Sequence, residues 1–119
     1  MKFNYFYGRE SDQFSFLRIP KSLITDTRYA GLSINAKLLY GILLDRMGVS
    51  VSNQWIDSEN KVYVIYQISE IQKDLNVSKR KAMEYLGELE SCGLVEKKPR
   101  GMGLPSLLYV QKFVQPITA

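Results

Sequence analysis

The spacing of apolar residues along this chain predicts a short run of elements. Phe14-Ser15-Phe16-Leu17-Arg18-Ile19 alternates with the period of a strand that ends at Pro20, inside an otherwise irregular stretch, 1–30. Residues 33–47 then switch to helical spacing. Ser33 is a good N-cap and Gly48 a stop, and Ala36, Leu38, Leu39, Ile42, Leu43 and Leu44 cover most of the circumference. Such a helix is expected to be buried on several sides. Residues 49–60 are polar and turn-forming around one large anchor, Trp55. The β-branched and aromatic run 62–66 reads as a strand.

The second half is densely punctuated. Residues 67–74 fit a short helix with Ile68, Ile71 and Leu75 on one side. Asn76 breaks it, Val77 plugs inward, and Ser78 caps a second helix that runs to about Cys92 and closes at Gly93. Residues 94–98 read as a strand, 99–105 as a turn rich in glycine and proline, and 107–110 as the returning strand of a hairpin. That order is an α+β winged helix-turn-helix with an N-terminal extension. It is read as one domain over 1–119, with the extension at 1–30 and the core at 33–113.

Composition narrows the chemistry. A length of 119 residues suits one domain, and 45% hydrophobic with 24% charged residues is ordinary for a globular protein. Histidine is absent, which excludes Ser-His-Asp and Cys-His catalysis, histidine-ligated zinc and nucleases built on a histidine-metal site. The single cysteine, Cys92, forms no internal disulfide or CxxC knuckle and fits a reducing compartment; it is expected to be a small buried hydrophobe. No apolar run approaches a membrane span, and the first residues lack a signal-peptide core, so a cytoplasmic location is expected. The net charge of +4 is unevenly placed. Residues 97–119 hold Lys97, Lys98, Arg100 and Lys112 with no acid, and Lys79, Arg80 and Lys81 form a second cluster.

Those two clusters fall where a DNA-binding winged helix needs them. At about 100° per residue, Ala82, Leu86 and Leu89 share one stripe of the second helix. Arg80, Glu84 and Gly87 point away from that stripe, flanked by Lys81, Met83 and Glu88. Ser78, Lys79, Arg80 and Lys81 sit at its N-terminus, where free amides and the helix dipole favour phosphate. Arg80 offers a two-donor fork to guanine, while Lys79 and Lys81 suit phosphates. Glu84 can accept from a cytosine amino group, orient Arg80, or simply pair with it at the surface. In the hairpin, Gly101 and Gly103 bracket the tip, and Lys97, Lys98 and Arg100 lead into it. The plain alternatives are an ordinary amphipathic helix and an exposed hairpin with solvated charges.

The remaining candidates point to packing. Trp55, Tyr63 and Tyr66 can form a base-stacking platform, though aromatics beside a polar loop more often belong to a core. Asp57, Glu59 and Glu70 have the right chemistry for magnesium but no fixed mutual geometry in sequence. Eight tyrosines invite a rolling-circle nickase, which normally needs a histidine-bound metal beside the tyrosine. No catalytic residue, metal ligand or cofactor is therefore assigned.

Several stretches together resemble the N-terminal domain of the RepA_N family of plasmid replication initiators from low-GC Gram-positive bacteria. They are FLRIPKSLI, LSINAKLLYGILLDRM, NQWIDSENKVYVIY, DLNVSKRKAMEYLGELESCGLVEKK and RGMGLPSLLYV, roughly residues 14–113. The most specific part is the spacing from the LLDRM helix end through NxWxD and VY to GxGxPxxxYV. The resemblance implies a winged helix that binds double-stranded repeats in a plasmid origin and starts replication. It also implies a longer initiator, in which a C-terminal domain like that of DnaD meets host replication proteins. Leu104 stands where the family often has a cation, which shifts phosphate contact to Lys97, Lys98 and Arg100. Origin binders usually occupy repeated sites, so a homodimer is expected, with Phe3, Tyr5, Phe6 and Tyr7 packing either a partner or their own domain. A transcriptional repressor and a protein-interaction module are the alternatives on the same fold.

Overall fold

The structure, a computed structural model, describes residues 1–8, 15–50 and 52–113. Pro20 opens α1 (Lys21–Thr25), five residues whose Leu23 is completely buried. A 3-10 turn, Thr27–Tyr29, follows, with the Asp26 carboxylate accepting from Arg28 N–H at 2.9 Å. Tyr29 is buried, and its hydroxyl donates to Phe113 O at 2.6 Å, tying this early segment to the end of the described chain. Residues 21–29 are thus helical turns, not the irregular stretch expected from sequence. The strand expected over 14–19 is also missing at residues 15–19, while Phe14 lies outside the described residues. The reason is steric. This segment packs on the central helix at Gly41, where a Cβ would meet Ile19 Cγ1 at 2.9 Å, and not beside a strand of the three-stranded sheet.

That central helix is α2 (Ile34–Met47), capped by Ser33 Oγ, which accepts from Ala36 N–H at 3.1 Å. Leu39, Tyr40 and Leu43 are fully buried and Lys37 nearly so, which is the many-sided burial its apolar pattern predicts. Each such leucine contributes about 1.5–3 kcal/mol of transfer free energy. The polar stretch after α2 folds back on itself. Ser50 Oγ donates to Tyr63 O at 3.0 Å, and Ile56 and Val62 form an isolated bridge.

The regular strand there, β1 (Val64–Ile65), pairs with Leu108 and Leu107 and is shorter than the run 62–66, because Val62 bridges Ile56 and Tyr63 N–H donates to Trp55 O at 3.1 Å instead. Next come α3 (Ile68–Leu75) and α4 (Lys79–Ser91), packed against each other and against α2. The hairpin β2 (Val95–Lys98) and β3 (Leu107–Val110) completes an antiparallel sheet of order β1-β3-β2, with Val95 opposite Val110 and Lys98 opposite Leu107. Val64, Leu108 and Val95 turn into the same core as Ile71, Ala82 and Leu89. Helix, strand, two helices, hairpin: the winged helix-turn-helix order read from the sequence is the observed one.

Candidate nucleic-acid interface

The turn between α3 and α4 sets how α4 is presented. Asn76 ends α3 in the left-handed conformation (φ 56°, ψ 52°), and Val77 N–H donates to Gln72 O at 3.0 Å. Ser78 then caps α4, its Oγ accepting from Lys81 N–H at 3.2 Å. Ala82, Tyr85, Leu86 and Leu89 are buried at i, i+3, i+4 and i+7. Tyr85 is the member the sequence reading missed, although its spacing from Ala82 and Leu89 is that of the stripe. At the other end Gly93 takes φ 86°, and Leu94 N–H donates to Leu89 O at 2.9 Å, a glycine-terminated cap that turns the chain into β2.

Ser78, Lys79, Arg80, Lys81 and Glu84 are all exposed on the other side of α4. Glu84 does not pair with Arg80, as the i,i+4 spacing suggested. Its carboxylate accepts from Lys81 Nζ at 3.1 Å instead. Helical side chains lean toward the N-terminus, so Glu84 reaches back between positions 80 and 81, and the flexible ammonium takes it. Arg80 is consequently without an ion pair among the described residues, leaving its guanidinium fork open. Glu88, expected on the outer flank, is half-buried and turned inward. Its two carboxylate oxygens accept from Ser33 N–H at 2.8 Å and Ser33 Oγ at 2.7 Å, because the free amides at the start of α2 lie beside it. Beside that contact, Asn35 Nδ2 donates to the Tyr85 hydroxyl at 2.9 Å.

The second cation cluster lies on the hairpin. Lys97 and Lys98 are exposed neighbours on β2, opposite Leu108 and Leu107, and Arg100 follows them into the loop. Arg100 Nε donates to Pro105 O at 2.8 Å, closing the base of the loop. At the tip Leu104 N–H donates to Gly101 O at 3.0 Å, and Leu104 itself is exposed. No hydrogen bond or ion pair links this cluster to the one on α4 among the described residues; the two are joined through the packing of β2 against α4.

The other sequence candidates are engaged elsewhere. Tyr66 is buried, its hydroxyl donating to Asp74 Oδ2, with the Arg46 guanidinium 3.9 Å from its ring centroid. Burial, followed by that hydrogen bond, pushes its hydroxyl well above the usual tyrosine range. Trp55 is half-buried against the core, and Tyr63 meets Tyr109 edge-on at 5.9 Å, so these rings do not form an open stacking platform. Asp57 organises its own turn, accepting from Glu59 N–H at 2.9 Å, Lys61 N–H at 2.8 Å and the Tyr109 hydroxyl at 3.0 Å. Those contacts, the Lys61 amide foremost, hold its carboxyl below the ordinary carboxylate range. Glu59 pairs with Lys61, and Glu70 caps Gln67 N–H, so these carboxylates do not converge. Among the described residues no group of three His, Cys, Asp or Glu side chains is placed to hold a metal ion, and no helix is long and apolar enough to cross a membrane. Cys92 is exposed rather than buried, because α4 passes beyond the core at Leu89; its thiol donates to Leu89 O at 3.5 Å.

Residues 15–119 match the sequence family described as the N-terminus of replication initiator protein A (RepA). A 41 kDa protein of Lactobacillus helveticus is 34% identical over 86 residues, which is 72% of this chain and 24% of that protein. The chain therefore spans about a quarter of that relative's length. Among solved structures, one described as the N-terminal domain of a DNA-binding protein shares 33% identity at a TM-score of 0.77, covering 99% of this chain and 88% of that one. A Rep–DNA complex shares 34% identity at 0.77, with coverages of 98% and 87%. An MDR initiator shares 32% at 0.75, with coverages of 95% and 89%.

Proposed function

Because the chain belongs to the family of replication initiator protein A (RepA) N-termini, we propose that it is the part of an initiator that binds duplex DNA, at repeats in a plasmid origin. The observation that carries this reading is the two-sidedness of α4. Its inner stripe is fully engaged by the core, and its outer N-terminal turn offers Lys79, Arg80 and Lys81, with Arg80 unpaired among the described residues. A helix seated in the major groove needs that division. Lys97, Lys98 and Arg100 add a second line of phosphate contacts, and the similarity to a solved Rep–DNA complex supports the assignment. On this reading Ser78 holds the helix end toward phosphate, Glu84 shares the reading face, and the chain carries out no catalytic step.

The initiator acts in the cytoplasm, and host replication proteins meet a C-terminal domain outside this chain. It works as a homodimer on repeated sites, using Phe3 and Tyr5, which are 81% and 83% exposed here. Sedimentation as a monomer at tens of micromolar, with and without DNA, would remove the homodimer.

The test of DNA binding is titration against origin-repeat and scrambled duplexes at several salt concentrations. Repeats bind more tightly, and the log–log salt slope falls by about 0.9 for each of Lys79, Lys81, Lys97, Lys98 and Arg100 that is removed. Equal, weak and salt-independent affinity for both duplexes would point instead to a protein-interaction module. Preference for a promoter operator over the origin repeats would point to a repressor.

A further inference from the structure

The tip of the hairpin presents an apolar side chain that the fold does not use. Gly101, Met102 and Gly103 follow one another at φ of 70°, 56° and 72°, and Leu104 N–H closes the turn onto Gly101 O. Both central residues of that turn are left-handed, the backbone that suits a tight hairpin. Glycine adopts it freely and methionine does not, because its Cβ crowds the following carbonyl. Met102 is nevertheless 96% exposed, and Leu104 is 54% exposed. A glycine at 102 would relieve the backbone and forfeit no packing within the chain. Packing within the fold therefore does not account for methionine at this strained position.

Its surroundings indicate what does. The tip is held in place from two sides, by the turn hydrogen bond and by Arg100 Nε on Pro105 O. Residues 101–104 carry no charge, whereas Lys97, Lys98 and Arg100 stand directly behind them. An apolar point with cationic shoulders is complementary to a duplex groove, whose walls are phosphates and whose floor is base edges. In the narrow minor groove, methionine and leucine side chains can be driven between base steps and partly unstack them.

We propose that Met102, backed by Leu104, is an apolar wedge that enters the minor groove of the bound duplex and opens one base step. The wedge rests on the DNA-binding reading above and adds a specificity element to it. It selects steps that open easily, pyrimidine–purine steps above all, and does so through deformability rather than hydrogen bonds.

The test uses duplexes recovered by the chain from a randomised duplex library, with 2-aminopurine scanned along the recovered site. The parent chain is expected to brighten 2-aminopurine at one step. Met102→Gly, which relaxes the backbone, loses the brightening and binds roughly tenfold more weakly, with an unchanged salt slope. Met102→Leu keeps both properties. Equal affinity of Met102→Gly and the parent, as a protein partner at the tip would give, overturns the wedge while DNA binding stands; so does brightening that survives in Met102→Gly. Failure of the parent to recover any preferred duplex overturns the reading beneath it, and the wedge with it.

Discussion

Glu88 grips Ser33 with both oxygens of its carboxylate, at 2.8 Å from the backbone N–H and 2.7 Å from the hydroxyl. Ser33 in turn caps α2. Together with the hydrogen bond from Asn35 to Tyr85, this fastens the far half of α4 to the start of α2. In the near half Ala82 is buried while Lys79, Arg80 and Lys81 stay exposed. The residues that seat the helix and those proposed to read DNA thus lie on opposite faces of it.

Removing that grip should cost stability. Glu88→Ala leaves two donors of Ser33 without their charged acceptor, and charge-assisted hydrogen bonds are worth about 1.5–3 kcal/mol. Because the site is only half-buried, the loss is expected near the lower figure. Glu88→Gln, which keeps one acceptor, loses about half as much. Urea unfolding checks this: the midpoint drops while the m-value holds.

The α3–α4 turn gives a backbone prediction. Asn76 sits at φ 56°, and its N–H donates to Gln72 O. Asn76→Gly should stay within a few tenths of a kcal/mol of the parent, while Asn76→Val should lose about 1–2 kcal/mol, because a β-branched side chain tolerates the left-handed backbone far less well than asparagine. Thermal unfolding of the two variants separates them.

Stability at high pH follows from Tyr40. Burial first, and then neighbouring Tyr29, pushes its hydroxyl from the ordinary 10 up to about 12. The folded chain therefore holds that proton more tightly than the unfolded chain does. The contribution is complete below pH 10 and is lost as pH rises through about 12. Unfolding followed across this window should show stability falling, and Tyr40→Phe should flatten part of the fall. Tyr66, raised by burial and by Asp74, and Tyr109, raised by burial and by its hydrogen bond to Asp57, contribute to what remains.

The helix-turn-helix was legible because its boundaries are local chemistry. Ser33, Asn76, Ser78 and Gly93 each act through a hydrogen bond or a φ value that involves only their near neighbours. What stayed hidden depends on distant residues. The helix Lys21–Thr25 is too short to persist alone and exists because Leu23 is buried. Glu88 looked like a surface acid because its partner, Ser33, is 55 positions away. The partner of Glu84 is open in the sequence for a different reason: Arg80 and Lys81 both lie within its reach, and spacing does not choose between them. Tyr85 could have been found, since its interval from Ala82 and Leu89 already placed it on the buried stripe.

The central claim is that α4 reads bases while the hairpin holds the backbone. The measurement that tests it most directly is a paired titration of Arg80→Ala and Lys98→Ala against cognate repeat and scrambled duplex at one salt concentration. Arg80 has no ion pair among the described residues, and Lys98 is exposed on β2. Arg80→Ala should therefore lose about 1–3 kcal/mol on the cognate repeat and much less on scrambled DNA, whereas Lys98→Ala weakens both by similar factors. Equal losses on the two duplexes for Arg80→Ala would contradict the account, placing Arg80 on the phosphate backbone alone.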